Sequence, residues 1–145
     1  MLIQTARSVA LVKASAIPPL TIRLAPAEDA HRAAMFMKRM PTTTDTRYLV
    51  AERKGEIVAA ASIEITDGIG AVHFRFIDDE HRARIGFELV GMVKALTWAW
   101  ELNEAHFPDK QFADLYRERD IRMVRGEYRL EYAGGQYRPG ALEGR

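Results

Sequence analysis

Phe76-Ile77-Asp78-Asp79-Glu80-His81-Arg82-Ala83-Arg84-Ile85-Gly86 is the stretch that decides how this chain is read. Just before it, residues 71–77 alternate. Val72, Phe74 and Phe76 fall on one side of an extended chain, His73 and Arg75 on the other, which is the period of a strand. Just after it, Leu89, Met92, Val93, Leu96 and Trp100 recur at helical spacing and make one apolar stripe. Residues 78–84 carry charge at almost every position and read as a polar loop, so the helix is expected from about Ile85. Trp98 and Trp100 lie about 160° apart at about 100° per residue, so only one of them joins the stripe.

Working outward, Leu20, Ile22 and Leu24 alternate with Thr21 and Arg23 as a half-buried strand. Pro26, Glu28 and Asp29 suit a helix N-terminus, and that helix is expected to run to about Met40, where Pro41 and the threonines at 42–44 stop it. Residues 48–51 and 57–65 read as a hairpin turning at Lys54-Gly55-Glu56, and Asp67-Gly68 turns the chain again into residues 71–77. Three consecutive strands with tight turns imply an antiparallel meander. Pro108-Asp109 breaks the chain after the long helix. A strand between Trp100 and Phe112 is hard to place: either residues 97–102 form it, or it is reduced, and periodicity through Trp100 favours the long helix. Phe112, Leu115 and Tyr116 suggest a short helix. A last hairpin over residues 121–132 turns at Arg125-Gly126.

The chain has 145 residues, 48% of them hydrophobic, the size of one domain with a real core. Residues 20–132 hold that domain, residues 1–19 are an apolar N-terminal extension, and residues 133–145 are a polar, Gly-rich tail. No run reaches the roughly 20 apolar residues of a membrane helix. There is no cysteine, which excludes disulfides and thiolate chemistry. The formal charge of +1 argues against nucleic acid and membrane as partners. His31, His73, His81 and His106 show no metal-ligand spacing, so no metal is expected.

The order strand, helix, meander, charged stretch, helix, short helix, hairpin resembles the GNAT superfamily of N-acetyltransferases over roughly three quarters of the chain. Two segments carry the likeness. Residues 76–86 resemble the end of the family's fourth strand and its pyrophosphate loop, which usually reads Arg or Gln, two residues, Gly, one residue, Gly or Ala. Leu115-Tyr116-Arg117-Glu118-Arg119-Asp120-Ile121 resembles the family's Leu-Tyr-x-x-x-Gly-Phe segment. There are departures. Only Gly86 remains of the two small loop residues, the loop is one residue short, Ile85 stands where glycine would help, and Asp120 and Ile121 replace the family's glycine and aromatic.

The resemblance implies a mixed, mostly antiparallel sheet flanked by helices, with acetyl-coenzyme A as cofactor and no metal. Phe76, Ile77, Arg82, Arg84, Ile85, Gly86 and Phe87 would bind that cofactor. Unpaired N–H groups at a helix N-terminus would hold its pyrophosphate, and N–H groups near Phe76 and Ile77 its oxyanion. Tyr116 would be the general acid and His73, or else Glu64, the base, acting on an unidentified amine in the cytoplasm. The alternative is a GNAT-fold binding or assembly module without catalysis, for example a bacteriophage virion-associated protein. That reading rests on the degraded loop and the apolar extension, and it places a protein partner or second copy at the chain ends.

Overall fold

The computed structural model describes residues 20–132. The N-terminal extension, the tail and the docking expected of them lie outside the described residues. In chain order come β1 (Thr21–Leu24), a 3-10 turn (Ala27–Asp29) into α1 (Ala30–Met37), β2 (Asp45–Arg53), β3 (Glu56–Thr66), β4 (Ile69–Phe76), α2 (Asp79–Ala99) and β5 (Glu104–Phe107). A second 3-10 turn (Lys110–Phe112) leads into α3 (Ala113–Glu118), followed by β6 (Arg122–Val124) and β7 (Glu127–Glu131). The strands form one sheet in the order β1-β2-β3-β4-β5-β7-β6. The β4–β5 pair is parallel and the others are antiparallel. This is the mixed, mostly antiparallel sheet expected from the sequence.

Three two-residue turns set the registers. Lys54-Gly55, Asp67-Gly68 and Arg125-Gly126 each place two consecutive residues at positive φ, between 52° and 82°. That is the type I′ geometry whose twist matches the strands it joins, and glycine meets its second position without steric cost.

The helices cover both faces. Ala33 and Met37 of α1 pack on Tyr48, Val50, Ile57 and Ala60. On the opposite face Ile85, Leu89, Val90 and Val93 of α2 and Leu115 and Tyr116 of α3 pack on Leu49, Ala61, Ile63, Val72, Phe74 and Phe107. Trp100 packs against this larger core, while Trp98 stays 36% exposed, as their angular separation requires. Among the described residues no helix is long and apolar enough to cross a membrane.

The structure corrects the sequence reading at three places. First, α1 ends at Met37, not Met40. Lys38 turns left-handed at φ 56°, and the chain then folds inward so that Arg39 and Thr42 reach the buried Glu64 carboxylate. Second, α2 begins at Asp79 instead of near Ile85. Asp78 is extended, and its carboxylate accepts the His81 N–H at 2.8 Å, while Asp79 and Glu80 complement the helix dipole in the first turn. The charged residues are thus the solvated first turns of a helix. Third, the elusive strand is β5, just past a helix end where Glu101 sits at φ 61°. Only four residues long, it buries Ala105 and Phe107 and turns Glu104 and His106 outward.

Candidate functional site

The sheet opens beside β4. β5 accompanies it only through Ile69↔Glu104, Gly70↔Ala105 and Ala71↔His106; beyond Ala71 the two strands part. A cleft of about 410 Å³ lies where they diverge. Phe74, Phe76, Ile77 and Phe112 line it with apolar surface, and Arg75, Asp78, Asp79, Arg82 and Gln111 with polar groups. The Ile77 N–H donates to Val58 O at 2.9 Å, on the β3 side. By the alternation of an antiparallel pair, the main-chain groups of Phe74 and Phe76 therefore point away from β3, into the cleft. Of the two donors expected near an oxyanion, Phe76 faces the cleft and Ile77 does not.

Phe74 already has a partner. Its N–H donates to Asp109 Oδ2 at 3.3 Å, and the other carboxylate oxygen of Asp109 lies 3.0 Å from His73 Nδ1. The main-chain carbonyl of Asp109 accepts the Tyr116 hydroxyl at 2.9 Å. Asp109 thus ties β4 to α3. Sequence reasoning missed it, because a residue after Pro108 reads as a turn and its partner lies on another strand.

Tyr116 is fully buried. Its ring packs against Phe107, Tyr128 and Phe74 at centroid distances of 5.1, 5.3 and 6.1 Å. Burial, reinforced by the Asp109 charge, pushes its phenol well above the usual range. The side chain holds its proton tightly and spends its hydroxyl on the Asp109 carbonyl, so it acts here as a brace between α3 and the strand ends.

His73 and Glu64 sit together on the α1 face, His73 Nε2 being 3.9 Å from Glu64 Oε2. Glu64 is buried and accepts from Arg39 Nη2 at 2.8 Å and from the Thr42 N–H at 2.8 Å. Burial works to raise its carboxyl, but hydrogen bonds from the Thr42 hydroxyl and N–H and from Arg39 outweigh it and hold it below the usual range. A carboxylate so fully engaged is a poor base. The His73 imidazole is oriented instead by Asp109, whose ionised carboxylate accepts from Nδ1.

The proposed cofactor residues are placed differently from one another. Ile85 and Gly86 face the core. A Cβ on Gly86 would come within 2.9 Å of the Leu115 methyls, so glycine here lets α2 and α3 approach closely. Arg84 and Phe87 are exposed on the helix, with the Arg119 guanidinium 3.4 Å from the Phe87 ring centroid. Arg82 reaches the cleft, but its guanidinium is held by the Asp114 carboxylate and by Gln111 O at 3.2 Å and stacks on Phe112.

Two features of the start of α2 count against the pyrophosphate of coenzyme A there. A phosphate site at a helix start needs N–H groups without partners. Here Asp78 Oδ1 takes the His81 N–H, and Asp78 O takes the Arg82 N–H at 3.1 Å. The N–H groups of residues 83–87 lie inside α2 and are used by its own hydrogen-bond ladder. Asp79 and Glu80 bring their own carboxylates. With Asp78 they make the start of α2 negative, which opposes a diphosphate placed there. The His81 N–H, and then its ring, hold the Asp78 carboxyl below the usual range, so it is ionised at neutral pH.

No protein-family model matches the chain, and no curated protein resembles it in sequence. Solved structures do resemble it in shape. The ribosomal-protein-S18-alanine N-acetyltransferase of Escherichia coli superposes with a TM-score of 0.57 at 12% identity, over 73% of this chain and 79% of that one. A GNAT-family acetyltransferase of Streptococcus pneumoniae gives 0.58 at 15% identity, over 73% and 86%. The N-acetylglutamate synthase of Neisseria gonorrhoeae, complexed with coenzyme A and N-acetyl-glutamate, gives 0.53 at 11% identity, over 70% of this chain and 28% of that one. The fold of this chain is the GNAT fold. Asp120, where the family's segment has glycine, holds the left-handed backbone glycine would favour, at φ 59°.

Proposed function

We propose that this chain is a GNAT-fold binding or assembly module that works without acetyl transfer. The observation that carries the reading is the start of α2. In place of a glycine loop with free N–H groups there is a helix N-terminus capped by Asp78 and flanked by Asp79 and Glu80. Folds host many functions, and function is argued from the site. The site here keeps an open cleft beside β4, and a capped, acidic helix start stands where a diphosphate would need free N–H groups.

Acetyl transfer is the second reading. The fold likeness to acetyltransferases, one of them holding coenzyme A, lends it general support. The specific observations in its favour are the Phe76 N–H facing the cleft and the His73 imidazole held by Asp109. No amine substrate is identified by any of these residues.

Isothermal calorimetry with coenzyme A on the full chain separates the two. The binding-module reading expects no saturable heat up to millimolar ligand. Saturable binding at micromolar ligand overturns it and promotes acetyl transfer.

A further inference from the structure

Resting on the binding-module reading, we propose that the open edge of β4 receives an extended segment of a protein partner, added as a short strand, with a basic residue lying against Asp79 and Glu80. The edge itself is the primary observation. β5 leaves β4 after Ala71, and Phe74 and Phe76 turn their main-chain groups toward the cleft. Asp109 satisfies the Phe74 N–H. That leaves the Phe74 carbonyl and both main-chain groups of Phe76 as one donor and two acceptors along the edge. Such an edge is a template for another strand, whose main chain supplies affinity and whose alternate side chains supply specificity.

Side-chain chemistry selects the occupant. Phe76, Phe112 and Ile77, the last 50% exposed, offer apolar contacts for alternate side chains of an incoming strand. The cations of the rim are engaged: Arg75 donates to Phe36 O at 2.9 Å and stacks on that ring, and Arg82 is bound to Asp114. Asp79 and Glu80 have no ion-pair partner among the described residues. Among the charged residues that line the cleft, Arg75, Asp78 and Arg82 are engaged and Asp79 is not, so the unpaired charge at its α2 end is negative, with Glu80 next in the chain. That charge favours a strand with lysine or arginine at that end and repels an acidic one.

The test uses the 15N-labelled full chain and two synthetic probes, acetyl-Lys-Thr-Val-Thr-Val-Thr-Lys-amide and its counterpart with glutamate for both lysines. Lysine at both ends serves either strand direction. The expected result is saturable movement of the Phe76 and Ile77 amide signals with the lysine probe at millimolar concentration or below. Asp79→Lys/Glu80→Lys weakens it about tenfold or more, the scale of one charge-assisted hydrogen bond. The milder Asp79→Asn/Glu80→Gln variant weakens it less and guards against loss of folding. No Phe76 response to the lysine probe overturns the proposal. So does equal binding of the glutamate probe, or of a lysine probe N-methylated at its valines. Coenzyme A is titrated in parallel. If it binds saturably, the binding-module reading fails; if neither it nor the lysine probe binds, the strand proposal alone fails.

Discussion

Replacing Gly86 by alanine adds one methyl group to the second turn of α2, and the sign of its effect depends on Leu115. Alanine is favoured over glycine in a helix interior by about 0.8–1 kcal/mol. Against that, the new Cβ would lie 2.9 Å from both Leu115 methyls, closer than real contacts allow, and Leu115 is only 6% exposed. Overpacking a buried site costs about 1–3 kcal/mol. Gly86→Ala alone should therefore fall between neutral and about 2 kcal/mol destabilising. Leu115→Ala alone should cost about 2–5 kcal/mol through the cavity it leaves. With that cavity present, Gly86→Ala should become stabilising by about 1 kcal/mol, because the methyl enters vacated space. Urea denaturation of the four proteins gives the coupling, expected at about 1–3 kcal/mol. Equal effects of Gly86→Ala in both backgrounds would refute the claim that this glycine exists for helix packing.

Asp78→Ala should lower the thermal midpoint and speed hydrogen exchange at residues 79–82, by removing the cap on the His81 N–H. The Asp78 carboxyl sits below its ordinary value of 3.8, so its contribution is full above that pH and lost as pH falls through the lower folded value; an acid series of thermal midpoints should show this step in the parent and not in the variant. Glu64→Gln should cost about 1–2 kcal/mol in urea, since charge-assisted bonds weaken while the partly exposed Arg39 regains water. Glu64 is likewise held low, so its share is present above about pH 4.5 and lost in acid; an unchanged midpoint in Glu64→Gln would show the pair to be idle. Tyr116→Phe should cost about 0.5–1.5 kcal/mol, one hydrogen bond, with the core otherwise intact by near-UV circular dichroism. A variant as stable as the parent would remove the brace.

Much of the fold was legible in the sequence because its signals are local. Each type I′ turn carries glycine in second place, as at Lys54-Gly55 and Asp67-Gly68; β4 alternates along its length, while β2 and β3 read as short apolar runs buried on both faces. The stripe from Leu89 to Trp100 marks the buried side of α2. The first turns of that helix were not legible, since Asp78 to Arg84 has the composition of a solvated loop. An aspartate followed by two acids also matches an N-cap and first turn, and that signal was available. β5 escaped because four residues with Glu104 and His106 outward give almost no pattern. Site chemistry was legible only as residue types. His73 and Tyr116 were found as candidates, yet the residue that positions both is Asp109, joined to Phe74 across 35 positions of sequence. No local pattern encodes such a contact.

The distinction between a phosphate loop and a capped helix is open to direct measurement through the amides of residues 83–87. Native-state hydrogen exchange on the full chain, with and without millimolar coenzyme A, reports them one by one. A helix that starts at Asp79 should protect these amides well in the free protein, and coenzyme A should leave them unchanged. Fast exchange in the free protein that slows on adding coenzyme A would mean a phosphate loop with free N–H groups, and would contradict the reading of this chain as a GNAT fold without its cofactor cradle.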